Sequence, residues 1–256
     1  RAFLLENLFV PGAVTMVYTD ADRAIIGAAV PVQGRLPLLA TKKEMAAEYF
    51  TERREVGIVN VGGAGNIRVD GKLFEMAPKD MLYVGRGVPK VEFEGTDHAK
   101  SAMFYFASFP AHKEYPTTHI RFSNTESTRL GSPENANRRT IHKYIHPDGV
   151  KSCQLVMGLT ELESGSVWNT FPPHTHPRRA EVYMYFGLGP DSMVMHLMGK
   201  PDETRSLILR DRQAVLSPSW SIHCAAATKN YSFIWAMGGE NQEFSDMDAI
   251  AVKDLK

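Results

Sequence analysis

Short apolar runs separated by turn residues follow one another along the chain, the pattern of β-strands rather than of long helices. Residues 1–33 read as extended, with β-rich runs at 14–18 and 24–30 on either side of the turn-prone 20–22. A short helical turn is expected near 42–47. From Arg54 onward the strand pattern is plain, at 56–61, 66–69, 72–75, 81–84, 91–93 and 102–106. Asp70-Gly71 between two such runs is a strong hairpin signal. The Gly62–Gly65 cluster reads as a β-turn and not as a phosphate loop, because no helix pattern follows it. Residues 110–137, rich in Pro, Ser, Thr and Asn, read as a linker that includes one strand at 117–122. Strand character returns at 139–145, 154–159, 167–170, 182–186, 193–197, 206–209, 213–216, 222–223 and 232–237. Many short strands at regular spacing predict an all-β fold, a sandwich or barrel with a few short helices.

With 256 residues, the chain has room for one large all-β domain or two smaller ones. Its 29 Lys and Arg balance 29 Asp and Glu, and no basic run stands out. Nucleic acid and anionic membrane surfaces are therefore poor partners. Cys153 and Cys224, both in apolar surroundings, read as reduced, buried thiols of a cytoplasmic protein. No signal peptide is expected from the residues given, and none of their apolar runs is long enough to cross a bilayer. The first residue is Arg1 rather than methionine, so the natural chain is expected to start upstream.

The chemistry concentrates in residues 174–181. His174 and His176 alternate onto one side of an extended strand, so both imidazoles reach a common point. Residues 177–180 turn the chain, and Glu181 opens the apolar strand 182–186. Two neutral nitrogens and a carboxylate suit zinc, iron or manganese. His223, after the turn-rich 218–221, is the expected fourth ligand. This order of ligands resembles the cupin metal signature, with Pro218-Ser219-Trp220 where cupins often carry Pro-x-Gly. The two halves of the chain read as weak copies. Glu55 aligns with Glu181, Glu48 and Phe50 stand at the histidine positions, and Lys90 stands at the fourth. The expected organisation is a first barrel over 1–109 without metal ligands, a linker over 110–137, and a metal-binding barrel over 138–256.

Longer segments carry a closer resemblance. They include 52–55, 60–65, 137–141, 157–162, 168–170, the His174-Thr175-His176 stretch, 217–223, 233–242 and the tail at 246–248 and 252–255. Together they resemble the bacterial 4-deoxy-L-threo-5-hexosulose-uronate ketol-isomerase (5-keto-4-deoxyuronate isomerase) family over nearly the whole chain. The resemblance implies a bicupin, two cupin-type β-barrels, often hexameric, with one zinc ion per subunit. It places the zinc ligands at His174, His176, Glu181 and His223. The implied reaction, in pectin and uronate breakdown, converts 5-dehydro-4-deoxy-D-glucuronate to 3-deoxy-D-glycero-2,5-hexodiulosonate.

Such an aldose–ketose interconversion moves a proton between adjacent carbons through an enediolate while charge builds on a carbonyl oxygen, which a metal can stabilise, or proceeds by the rival metal-guided hydride shift. Glu181, as a ligand, would be a poor base. Tyr183 and Tyr185, on the Glu181 face, and the acids Glu161 and Glu240 are the other candidates for proton handling. A carboxylate substrate calls for a cation, with Arg139, Lys143 and Arg178 as candidates; Arg178 and Arg179 read alternatively as solvated turn residues. An unbroken strand through Pro172-Pro173 would put Trp168 and Thr170 on the side of His174 and His176; Trp168 and Tyr185 are the candidates to line the sugar pocket, with packing in the barrel as the alternative. His196, His142 and His146 read as ordinary histidines. Two other readings of the same ligands are a cupin oxygenase using iron and a non-catalytic sugar-binding cupin; the DNA-binding helical domain usual in the latter is not visible in the sequence.

Overall fold

The computed structural model describes residues 2–96, 100–243 and 245–256. The described residues form strands and three single-turn 3-10 helices, at Ala21–Arg23, Phe122–Asn124 and Val252–Asp254. The short helical turn expected at 42–47 is a single α-turn, closed by Met45 N–H donating to the Thr41 carbonyl at 3.1 Å and not continued into a helix. Two compact units emerge. The N-terminal unit is Asn7–Thr125 with Tyr144–Val156, and the C-terminal unit is the residues up to Glu6, Glu126–Lys143 and Met157–Lys256.

In the N-terminal unit a six-stranded antiparallel sheet runs Thr118–Ile120, Met81–Val84, Arg54–Asn60, Phe104–Pro110, Ile25–Ala29, Val14–Tyr18. A four-stranded sheet runs Arg35–Pro37, Val91–Gly95, Gly65–Val69, Lys72–Met76. The expected hairpin is present, with Asp70 and Gly71 both in the left-handed region at φ 48° and 85°. Val56, Ile58, Phe104 and Phe106 from the larger sheet pack with Ile67 and Phe93 from the smaller one to form the core.

The C-terminal unit repeats this topology. Its larger sheet runs Leu4–Leu5, Ala214–Ser217, Arg179–Phe186, Ser232–Gly239, Val156–Leu162, Arg139–Ile145, Glu126–Leu130, and its smaller sheet Trp168–Asn169, Ile222–Ala227, Val194–Lys200, Glu203–Leu209. The duplication is real, but its register differs by one residue from the sequence alignment. Residues 56–59 pair with 84–81, as 181–184 pair with 217–214. The counterpart of Glu181 is therefore Val56, and Arg54 matches Arg179. Likewise Ile67 pairs with Phe93 as Met198 pairs with His223, so Phe93, not Lys90, holds the fourth position. A one-residue slip sends a strand side chain to the opposite face. Glu55 consequently points away from the core, where its carboxylate accepts the Tyr83 hydroxyl and the N–H groups of Cys153, Gln154 and Leu155 at 2.7–2.9 Å.

The unit boundaries also differ from a simple cut at 110–137. Within that segment Thr118–Ile120 is an edge strand of the N-terminal unit, while Glu126–Leu130 is an edge strand of the C-terminal unit. Leu4–Leu5 pairs with Ala214–Val215, and 144–156 belongs to the N-terminal unit. Edge strands offer unpaired N–H and C=O groups to any extended segment that reaches them, which polar composition does not disclose.

Candidate metal centre

Arg179–Phe186 is buried along its whole length, and strand alternation turns Glu181, Tyr183 and Tyr185 to the inner face. His223 enters from Ile222–Ala227 in the smaller sheet. His174 and His176 come from a short segment tied by the pairing of His174–Thr175 with Asp248–Ala249. These four side chains offer ligand atoms that all lie within 4.8 Å of one another, the one such group among the described residues. Nε2 of His174 is 3.0 Å from Nε2 of His176 and 3.1 Å from Nε2 of His223. Glu181 Oε2 lies 3.1 Å from His176 Nε2 and 2.8 Å from His223 Nε2.

The donor set fits a divalent cation. His176 Nδ1 lies 2.9 Å from the Asp246 carbonyl and 3.3 Å from Arg179 Nη2; as a metal ligand, His176 would keep its proton on Nδ1, facing the carbonyl, and turn the Nε2 lone pair to the cation. Three imidazoles and one carboxylate converging on a point make a zinc-type set, and iron or manganese use the same ligands. Burial, reinforced by the neighbouring His223, pushes the His174 imidazole down to about 3, so it is neutral near pH 7, as binding requires. For Glu181, burial acts to raise the pKa. The charge of His223 and the hydrogen bonds from His176 and His223 outweigh it and hold the carboxyl below the ordinary carboxylate range.

The cluster forms one wall of a cavity of about 340 Å³. Ile141, Phe233, Trp235 and Met237 supply apolar walls, Thr160 and Tyr183 hydroxyls, and Arg139 is the one cation lining it among the described residues. Arg139 donates through Nη1 to the Asn137 carbonyl at 2.9 Å, and burial lowers its pKa without discharging a guanidinium. Burial, with the charge of Glu181 added, holds the Tyr183 phenol well above 10, and its oxygen is 2.9 Å from Thr170 Oγ1.

Of the residues singled out from the sequence, the structure brings Arg139, Thr170 and Tyr183 to the cavity with His174, His176 and Glu181, and His223 to the same cluster. It takes the others elsewhere. Glu161 faces His142 at 3.5 Å, opposite in strand parity to Thr160. Glu240 is exposed, its N–H donating to the Arg178 carbonyl. Lys143 pairs with Glu126 at 3.0 Å. Tyr185 does not line the cavity; its hydroxyl is 2.8 Å from Nδ1 of His196, a fully buried histidine of the strand Val194–Lys200. Trp168 packs on Phe171, because Thr170 in the left-handed region at φ 49° and the prolines that follow break the strand expected to be continuous. Arg178 chelates the Asp246 carboxylate at 2.7 Å, and Arg179 is buried rather than solvated. Both cysteines are free, Cys224 buried and Cys153 half-buried.

Sequence reasoning missed Thr160, Trp235 and Met237. Trp235 donates to Thr160 Oγ1 at 3.1 Å, and Gly158 makes room for it, since a Cβ there would lie 2.1 Å from the indole. Alternation of Phe233, Trp235 and Met237 is visible in the sequence, but which face is inward depends on the sheet register.

The chain resembles known proteins over nearly its whole length. A curated 4-deoxy-L-threo-5-hexosulose-uronate ketol-isomerase of Caldicellulosiruptor bescii is 56% identical over 256 residues, covering 100% of this chain and 92% of the relative. One of the same name from Opitutus terrae is 54% identical at the same coverage. Among solved structures, an IolB-like protein from Salmonella typhimurium superposes with a TM-score of 0.76 at 14% identity, covering 97% and 96% of the two chains. An oxalate decarboxylase variant from Bacillus subtilis reaches 0.64 at 10% identity, covering 97% and 79%. These distant likenesses speak for the double-cupin fold alone. The profile of the KduI/IolB family matches residues 14–254, and the chain belongs to that family.

Proposed function

We propose that this chain is a ketol-isomerase, an intramolecular oxidoreductase that converts 5-dehydro-4-deoxy-D-glucuronate to 3-deoxy-D-glycero-2,5-hexodiulosonate. The observation that carries the reading is the four-ligand cluster opening into a sugar-sized cavity with a single cation on its wall. Relatives at 56% and 54% identity bearing the ketol-isomerase name support it. His174, His176, Glu181 and His223 would hold one zinc ion. When bound, the ion supplies a Lewis acid that polarises the substrate carbonyl. Arg139 binds the substrate carboxylate and so fixes which end of the sugar acid meets the ligand cluster. Tyr183, kept neutral by its burial, donates a hydrogen bond to the oxygen on which charge develops, with Thr170 orienting its hydroxyl. Phe233, Trp235 and Met237 exclude water from the carbon chain. Glu161 and Glu240, off the cavity, take no part in proton transfer.

A homo-hexamer working in the cytoplasm on pectin-derived sugar acids belongs to the same proposal. No helix among the described residues is long and apolar enough to cross a membrane. The test is elemental analysis of the purified protein together with an isomerase assay on the unsaturated uronate-derived sugar. About one zinc per chain, turnover abolished by a chelator and turnover restored by zinc are expected. A zinc-loaded, folded protein without turnover on this substrate refutes the proposal.

A further inference from the structure

Residues 245–250 run across the outside of the ligand cluster and touch it at several points. Asp248–Ala249 pairs with His174–Thr175, and Ile250 N–H donates to the Pro173 carbonyl at 3.0 Å. Met247 lines the cavity. The Asp246 carbonyl lies 2.9 Å from His176 Nδ1, placed to accept the proton that a ligating His176 would carry there. The same Asp246 is held by its side chain, which takes both oxygens to Arg178 Nε at 2.7 Å, adds a short contact to Arg178 Nη2, and accepts Asn241 Nδ2 at 2.6 Å. Behind it, buried Arg179 donates to the Glu243 carbonyl at 2.6 Å and to Asn241 Oδ1 at 3.2 Å. One residue therefore carries two linked jobs: its carboxylate is pinned, and its carbonyl sets the tautomer and angle of a ligand imidazole.

We propose that Asp246 is a positioning residue for the metal centre, and that the Arg178–Asp246 ion pair tightens metal binding by locking the 245–250 strap against His176. This inference rests on the metal reading above. Its physical basis is that an imidazole free to rotate, or to shift its proton to Nε2, must be reoriented at each binding event. A partner outside the ligand set that fixes ring and tautomer removes that cost, typically worth tenfold or more in metal affinity.

A through-space charge effect makes the opposite prediction for one variant. Asp246→Asn removes a negative charge near the cation and weakens binding on either account. Arg178→Gln removes a positive charge, which by charge alone strengthens zinc binding, whereas a loosened strap weakens it. Arg178 is partly exposed, its side chain 39% accessible, so the variant is well placed to fold. Zinc dissociation constants of the full-length wild type, Arg178→Gln, Asp246→Asn and the double variant would be measured by chelator competition, with circular dichroism of each. Both single variants are expected to bind zinc about tenfold or more weakly, the double variant no more weakly than the worse single, and kcat is expected to return at saturating zinc. If Asp246→Asn fails to fold, Arg178→Gln alone decides. Unchanged or tighter zinc binding by Arg178→Gln overturns the strap inference while leaving the metal centre standing. A kcat that stays low at saturating zinc overturns the positioning role. A wild type that binds no zinc overturns the metal reading itself.

Discussion

Glu55 offers the sharpest test of how the N-terminal unit uses its half of the duplication. Its carboxylate is fully buried and carries four hydrogen bonds: the Tyr83 hydroxyl and Cys153 N–H on Oε2, and the N–H groups of Gln154 and Leu155 on Oε1. Burial, and after it the Glu55 charge, push the Tyr83 phenol far above its usual range, so Tyr83 is a donor. Glu55→Gln keeps the shape and replaces one acceptor oxygen with a donor. The Tyr83 hydroxyl can reverse, but at least one backbone N–H then faces an NH₂ group, and the remaining bonds lose their charge assistance. Leaving one buried donor unpaired costs about 1–3 kcal/mol, and hydrogen bonds to a charged acceptor are worth about 1.5–3 kcal/mol each. A loss of about 3 kcal/mol follows, equivalent to about 6–12 °C in Tm for a chain of this size. Thermal melts followed by circular dichroism, with zinc content measured alongside, provide the assay. Zinc content is expected to match wild type, because Glu55 faces away from any counterpart of the ligand cluster. A Tm within about 2 °C of wild type would show that the carboxylate does not clamp 153–155, and lost zinc would show that the face assignment is wrong.

Alanine at His174, His176 or His223 is expected to remove bound metal and activity together while the fold survives; full metal occupancy in any of the three would exclude that residue as a ligand. Arg139→Ala is expected to raise KM about ten- to a hundredfold, the worth of a charge-assisted hydrogen bond, with Arg139→Lys between, and an unchanged KM would move the carboxylate elsewhere. Burial, followed by the charge of His223, pushes His196 down to about 3. The unfolded chain therefore binds a proton near pH 6.5 that the fold refuses, and this share of stability, full above pH 6.5, is lost as pH falls toward 3. At pH 5 that is about 2 kcal/mol, 1.5 units at about 1.4 kcal/mol each. Chemical denaturation from pH 7 to 5 should show that loss in wild type and a flatter profile in His196→Asn; parallel profiles would rule it out. Gly158→Ala is expected to destabilise the C-terminal unit and disturb Trp235, read as a lower Tm and altered tryptophan fluorescence, since its Cβ would fall 2.1 Å from the indole.

The sequence by itself determined the β character, the hairpin at Asp70-Gly71, the duplication and the four side chains of the candidate cluster. These depend on local rules: side chains two apart share a strand face, and turn residues punctuate apolar runs. Most of that cluster was legible because His174, His176 and Glu181 lie within eight residues of one another on the chain. Only the tertiary structure decided the register, and with it the faces. Glu55 looked like the partner of Glu181, yet the pairing of Val56 with Val84 puts Val56 at that place. At the place of His223, Phe93 packs against Phe104 at 5.3 Å and Phe106 at 6.3 Å, filling with rings the space that the His/Glu cluster lines in the other unit. Lys143, Glu161 and Glu240 carry the right chemistry but fall outside the cavity, whereas Thr160 and Trp235 line it. A period-two pattern defines two faces without labelling either as inner, and that label comes from hydrogen bonds between strands far apart in the chain.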